Sequence, residues 1–457
     1  MAGNSDRLSV GSGLALTLGS AALWGLAHVW VGRRVTGAVL MGIYLTVVTA
    51  VVAAFVGAKL ELLSLIVQPG WLWTLTLGAF LFAGATVAVV VRSYQLVRPR
   101  SLSGPARYLS AFAVGLLCAL VIAPMAYAAR LAYLSQSVVA SVFTESATPI
   151  PVDPWKGHER LNILLIGADA AANRTGIRTD SMTVASVDTR TGTTVLFGLP
   201  RNLENVPMPA GPAREHFPFG FGGEPPYTPG MLNEVFQYAE EHPEMVPGLP
   251  EGRRGPALLK KTISDFTGLD VTHYVMVDMF GFAKIIDAMG GVRVTVKAPI
   301  VYGRQNEGLI PPGTRKLSGE EALWFGRART YSDDYVRMGR QKCLMNAVTK
   351  QADPVTVLRS FERLADATTN AVSTDIPKEL LPNLIELSEK VKHSRIKSFQ
   401  FVPPLIDTGN PDYGLIRHKV AAVLSRSADV SSATSGPSRS AKRQPANGPA
   451  TLDAVCG

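Results

Sequence analysis

The feature that most limits what this chain can become lies in its first third. Four apolar runs, Leu14–Val31, Thr36–Ala58, Trp71–Val91 and Tyr108–Leu131, follow one another with almost no charge inside them. Each approaches or exceeds the length of a helix that crosses a bilayer core, where a backbone must satisfy its own hydrogen bonds. The first run is the shortest and holds His28. A buried core helix is the competing reading of any single run, and four in series argue against it. The spacing therefore predicts a four-helix transmembrane region over residues 1–134.

Charge sets an orientation. Residues 1–134 carry nine Lys/Arg against two acids, which leaves only +2 of the chain's net +9 for residues 135–457. The basic character thus belongs to the apolar third, and a domain of net +2 shows no basic stripe for nucleic acid. The loops at Arg33–Arg34 and at Arg92, Arg98, Arg100 and Arg107 are basic, whereas the loop between them holds only Lys59 and Glu61. The positive-inside rule sets the two basic loops in the cytoplasm, so four spans would put the N-terminus and everything after residue 134 outside. No small-residue cleavage site follows the first run, which reads as a retained anchor. The expectation is a multi-pass plasma-membrane protein with an extracytoplasmic domain. Cys118 lies in the fourth run, and Cys343 and Cys456 would face the outside, where disulfides persist. Two cysteines allow one pairing, Cys343–Cys456, and two free thiols remain equally open.

Beyond a linker at 135–156, containing Pro149, Pro151 and Pro154, the pattern becomes that of a mixed α/β sheet domain with helices on both faces, over 157–405. Leu161–Ile166, Met182–Val187, Thr193–Leu199, Tyr274–Val277 and Val292–Val296 read as strands, short and β-branched between turn residues. Leu232–Ala239, Pro256–Phe266 and Gly281–Ala288 read as helices, and 207–230 as a long Pro/Gly-rich loop. Leu344 and Val348, then Val357, Leu358, Phe361 and Leu364, then Leu380, Leu384 and Leu387 recur at helical spacing. Core packing and an apolar ligand groove both explain these faces, and spacing alone does not choose. Residues 425–457, rich in Ser, Ala, Gly and Pro, read as a disordered tail.

Three stretches concentrate charge at strand ends and loops. GADAAANRTGIRTDSM (167–182) presents Asp169, Arg174, Arg178 and Asp180; GLPRN (198–202) presents Arg201; ALWFGRARTYSDDYVRMGRQ (322–341) presents Arg327, Arg329, Asp334, Arg337 and Gln341. Ligands of α/β sheets collect beyond the carboxyl ends of strands, so all three could meet at one rim. A guanidinium fork pairs with phosphate oxygens and keeps its charge, and several in one pocket repel unless a polyanion lies between them. Asp169 and Asp180 could hold a hard cation such as Mg²⁺. The bland alternative is a set of solvated ion pairs, Asp333–Arg337 and Asp334–Arg337 at helical spacing, each worth about 0.3–0.5 kcal/mol. Arg327 and Arg329 would share one face if extended, while Arg340 falls beside the Arg337–Gln341 face and reads as solvated. The seven histidines form no HExxH, and GxSxG and P-loop motifs are missing from the sequence.

In order along the chain stand the strand into GAD, RTDSM (178–182), LPR (199–201), LNEVFQYA (232–239), MGGVRV (289–294), PPGTRKLSGEEALWF (311–325) and RAR…D..R..RQ (327–341). Over residues 158–352, and more weakly to about 404, this resembles the LytR-CpsA-Psr family of cell-wall glycopolymer ligases. The resemblance implies a membrane-anchored phosphotransferase moving a glycopolymer from a polyprenyl-pyrophosphate carrier to peptidoglycan through a phosphodiester. It further implies Arg178, Arg201, Arg327, Arg329, Arg337 and Gln341 as pyrophosphate ligands and Asp169 and Asp180 as Mg²⁺ ligands. Asp334 would orient arginines or act as a base, and with Arg201 it is the implied catalytic pair. Two departures stand out. Asn202 replaces the family's aspartate after Pro200–Arg201, removing a carboxylate, and four apolar runs replace the usual single anchor. A pyrophosphate hydrolase and a non-catalytic lipid- or glycan-binding regulator are the competing functions.

Overall fold

The computed structural model describes residues 10–57, 69–98, 104–146, 149–151, 153–169, 176–222, 230–303, 305–329, 333–351, 360–369, 371–432, 450–451 and 456. Arg174, Val357 and Leu358 lie outside them. The chain divides into two compact units, Met1–Ser137 and Val138–Gly457.

In the first unit the helices are α1 (Val10–Ala22), α2 (Leu26–Trp30), α3 (Arg34–Gly57), α4 (Pro69–Val97) and α5 (Gly104–Val142), the last continuing into the second unit. The first apolar run is thus split. Gly25 sits at φ +88°, where a Cβ would stand 2.4 Å from the Gly37 carbonyl oxygen. Only a residue without a side chain fits such a left-handed, close-approaching position. The break leaves helices of 13 and 5 residues, each short of the roughly 20 that a span needs. Among the described residues three helical stretches are long and apolar enough to cross a membrane, Arg34–Ala53, Trp73–Val97 and Gly104–Val142, rather than the four expected.

The second unit is built on a seven-stranded sheet. Its strands are β1 (Arg160–Asp169), β2 (Arg178–Asp188), β3 (Thr194–Leu199), β4 (Val271–Asp278), β9 (Val372–Thr374), β10 (Ile396–Gln400) and β11 (Ala450–Thr451). The spatial order is β11-β10-β3-β2-β1-β4-β9. β1 and β2 are antiparallel, as are β2 and β3, while β4 joins β1 and β10 joins β3 in parallel. Two small ribbons, β5 (Val292–Val296) with β8 (Gly313–Leu317) and β6 (Ile300–Tyr302) with β7 (Gly308–Ile310), stand apart from it. The predicted strand at Val292–Val296 therefore exists but belongs to a ribbon. Its alternating burial shows one covered face.

Helices α6 (Pro212–His216), α7 (Val235–Glu241), α8 (Arg254–Thr267), α9 (Met279–Ala288), α10 (Gly319–Arg327), α11 (Asp334–Gln351), α12 (Phe361–Thr369), α13 (Leu381–Lys392) and α14 (Tyr413–Ser432) complete the domain. Strand β3 is buried along its whole length, as a run such as TVLFGL requires when both sheet faces are covered. Leu164, Ile166, Val184 and Phe197 pack on one face with Leu259 and Ile263 of α8 and Ile416 and Val420 of α14. Leu161 and Val187 instead pack with Leu387 of α13, so that apolar stripe is core. The expected helices on both faces are present.

Two boundaries differ from the sequence reading. Helix α5 runs into the expected linker as far as Val142, and Thr144 then forms a bridge to Pro377. In the expected tail, α14 continues to Ser432, Ala450–Thr451 adds an edge strand to β10, and Cys456 is disulfide-bonded to Cys343 of α11. A Ser/Ala-rich composition does not reveal a segment held by a covalent bond 113 residues away.

Candidate functional site

The three charged stretches converge. A β-bulge between Gly167 and Ala168 ends the regular pairing of β1 with β2 and sets Asp169 opposite Arg178; bulges of this kind re-aim side chains at sheet rims. RTDSM, expected between strands, is the opening of β2, so Asp180 lies diagonally across from Asp169. Arg201 follows the end of β3. Arg327 comes from the last turn of α10, where a cation complements the helix carbonyls. That helix is fixed at its other end by a capping box: the Ser318 hydroxyl accepts from the Glu321 amide at 3.2 Å and the Glu321 carboxylate accepts from the Ser318 amide at 2.9 Å.

Asp334 is the hub. Its carboxylate accepts from Arg337 Nη2 at 3.0 Å and lies 3.2 Å from Arg329 Nη2 and 3.6 Å from Arg201 Nε. Arg201 also pairs with Asp180, and Arg327 donates to Asp169 at 2.8 Å. Arg337 is 2% exposed, which separates this network from a solvated helix-surface pair. Among the described residues the buried Nε atoms of Arg201 and Arg337 donate to no protein acceptor. Burial, then the like charge of Arg201, holds Arg329 below the usual guanidinium range, with Arg337 adding to the repulsion. Five arginines, counting Arg178, face three aspartates, an excess of two positive charges.

Arg327 and Arg329 do not share a strand face. One closes α10 and reaches Asp169; the other lies beyond the helix and reaches Asp334. Arg178 is exposed at the start of β2. Gln341 donates from Nε2 to the Gly326 carbonyl at 3.0 Å and so ties α11 to α10. Arg340, expected in solvent, donates to the Ala328 carbonyl at 2.5 Å. Asn202 turns its amide to Thr408 Oγ1 at 3.0 Å, and the Tyr335 hydroxyl is 3.3 Å from the same oxygen.

Behind the arginines opens a cavity of about 350 Å³. Arg201, Arg327 and Arg337 line one part of it, and Leu165, Val275, Val277, Phe282, Leu344 and Val348 line much of the rest. Helix α11 accounts for the gradient. Arg337, Gln341, Leu344 and Val348 follow one another at three- and four-residue spacing, polar first and apolar afterwards. The apolar groove left open by the sequence is thus formed by Leu344 and Val348. The sequence reading missed Lys342, which is 5% exposed on the cavity wall. A lone lysine within a basic run carries no local signal of burial. Burial lowers its ammonium pKa to about 7.

Residues 132–421 match the model of the LytR_cpsA_psr family. The polyisoprenyl-teichoic acid–peptidoglycan teichoic acid transferase TagU of Oceanobacillus iheyensis is 26% identical over 234 residues, half of this chain and 63% of that relative's length. The probable cell wall biosynthesis protein LcpB of Corynebacterium glutamicum is 35% identical over 122 residues, 26% of this chain and 29% of the relative. The crystal structure of Bacillus subtilis TagV overlaps 59% of this chain and 98% of its own, at 22% identity and a TM-score of 0.41.

Proposed function

Because the chain belongs to the LytR_cpsA_psr family, we propose that it moves a glycopolymer from a polyprenyl-pyrophosphate carrier to peptidoglycan and forms a phosphodiester link. The observation that carries this reading is the arginine cluster bracketed by Asp334 beside an apolar cavity. An excess of two positive charges suits the roughly two negative charges of a pyrophosphate diester. The apolar wall suits the first isoprene units of its lipid. TagU is named for a transfer of this kind.

In this mechanism the pyrophosphate lies between Arg201, Arg327, Arg329 and Arg337, with Arg178 at the outer edge. The buried Nε groups of Arg201 and Arg337, which have no protein acceptor among the described residues, are donors that phosphate oxygens would satisfy. The acceptor hydroxyl oxygen bonds to the glycan-bearing phosphorus as the bond from that phosphorus to the bridging oxygen breaks. Polyprenyl phosphate departs with the bridging oxygen, and the hydroxyl proton passes to solvent. Asp334, surrounded by three guanidinium groups, holds them in position rather than taking that proton. Gln341 acts by fixing α11 against α10.

Asp169 and Asp180, carboxylates on neighbouring strand ends that here pair with Arg327 and Arg201, would hold a Mg²⁺ or similar divalent ion once those guanidinium groups turn to the pyrophosphate. Among the described residues no group of three or more His, Cys, Asp or Glu forms a complete protein site; Mg²⁺ commonly takes one or two carboxylates and fills its shell with phosphate oxygens and water. When bound, it would neutralise charge on the transferring phosphoryl group. With Asn202 engaged by Thr408, the metal-binding role falls on Asp169 and Asp180.

Topology supports this reading. Arg33–Arg34 and the basic residues near 92–107 flank the three long apolar helices. Cytoplasmic placement of those residues leaves the domain outside whether three or four segments span; only the N-terminus changes side. The Cys343–Cys456 disulfide suits an oxidising compartment. The test uses the full chain in lipid nanodiscs with a polyprenyl-pyrophosphate glycan, Mg²⁺ and peptidoglycan. Polyprenyl phosphate should be released only when acceptor is present. Release without acceptor would identify a hydrolase, and tight binding without turnover a regulator.

A further inference from the structure

Lys342 is not used by the mechanism above, yet it stands on the wall of the cavity assigned there to the lipid. It follows Gln341 on α11 and lies over the sheet face formed by the paired strands β3 and β10. There its Nζ bonds to Ser398 Oγ, its sole hydrogen bond among the described residues. Gly198 of β3 makes this room: a Cβ at that position would lie 3.2 Å from Lys342 Cε and 3.3 Å from Nζ. No carboxylate pairs with the amine among the described residues. The charged groups lining the same cavity are Asp180 of β2, Arg201 after β3, Arg327 of α10 and Arg337 of α11. All four belong to the ion-pair network. β10 and β3 face the amine with the neutral Ser398 and Gly198, and with the Gln400 side chain close to Gly198.

An ammonium in this position depends on whatever polarity the open cavity offers. A hydrocarbon chain entering the cavity removes that polarity and disfavours the charged form further. We propose that filling of the apolar cavity is coupled to proton release from Lys342, so that a prenyl chain is accepted by the neutral amine and rejected by the ammonium. The proposal rests on the reading of the cavity as the lipid site and adds its regulation: the local pH outside the membrane sets how readily the carrier is held. Burial already brings the amine to about 7, so both forms are populated near neutrality. Acidification favours release of the lipid and mild alkalinity its retention.

The experiment is calorimetric titration of the full chain in nanodiscs with a C15 prenyl alcohol, whose hydroxyl does not titrate here, against empty nanodiscs. Two buffers of different ionisation enthalpy report the protons exchanged. At pH 7 up to about half a proton should be released per alcohol bound, and affinity should fall about tenfold from pH 8.5 to pH 6 as the competent fraction falls. In Lys342→Met, both the release and the pH dependence should vanish. Binding with no proton release and a flat pH profile in the wild-type chain would overturn the inference while leaving the cavity's assignment intact. Saturable binding that the chain does not show at any pH would overturn both.

Discussion

At the scale of single residues, Asp334 and Arg327 separate architecture from chemistry. Asp334 holds the nearly inaccessible Arg337, and removing one member of a buried ion pair leaves an uncompensated charge. Asp334→Ala should therefore destabilise the domain by about 3–5 kcal/mol, measured by denaturant unfolding. Arg327 is itself partly exposed, but its partner Asp169 is buried, so Arg327→Ala should destabilise the domain by about 1–3 kcal/mol, less than Asp334→Ala. It should still slow transfer on the order of a hundredfold, if its guanidinium stabilises the transferring phosphoryl group. Equal transfer by that variant would remove Arg327 from the site. These residues were legible because arginine beside aspartate, at strand and helix ends, is a distinctive pattern. Their grouping was not, since Arg327 and Arg329 serve different carboxylates across a helix end.

Lys342 shows what residue spacing conceals. Its burial depends on Gly198 and Ser398, which are 144 and 56 residues away in sequence. It also yields a pH prediction with a definite sign. In the unfolded chain the amine binds its proton near the ordinary 10.5, and in the folded chain only near 7. Stability should rise as pH rises from 7 towards 10.5, because only the unfolded state then holds the proton. Below 7 both states are protonated and the full penalty remains. Lys342→Met should raise the melting temperature at pH 7 and flatten the profile between 7 and 10. Melts at a series of pH values would show this; an unchanged slope would place the amine in a more polar setting than the structure gives it.

At the scale of elements, α11 links the site to the C-terminus. It carries Arg337, Gln341 and the apolar stripe, and Cys343 ties it to Cys456 while Ala450–Thr451 extends the sheet edge. Closing a loop of 113 residues limits the unfolded chain by about 4–5 kcal/mol in the chain-entropy account. Cys456→Ser should lower stability by up to that amount. Alkylation of the denatured, unreduced chain should find one thiol, Cys118; three would show the disulfide unformed. Strands β1 to β4 were legible from β-branched runs between turn residues. The limits of α5 and α14 were not, because both helices continue past their apolar residues into Ser- and Ala-rich sequence that composition reads as linker or tail. The α1–α2 break was equally hidden, since hydropathy does not register a left-handed glycine.

At the scale of the whole molecule, the chain joins a set of long apolar helices to a sheet domain that gathers an arginine cluster around Asp334. The sequence conveyed that combination through hydropathy and ordered motifs. It did not convey the cavity, which exists only when α11 lies across the sheet. The central claim is that the glycan moves together with its own phosphate. The most direct measurement follows a donor labelled at the glycan-bearing phosphorus, given to the full chain with Mg²⁺ and peptidoglycan. The label should enter peptidoglycan as a phosphodiester, with unlabelled polyprenyl phosphate released in equal amount. Label that appears as a soluble glycan phosphate, or stays with the lipid, would contradict the account.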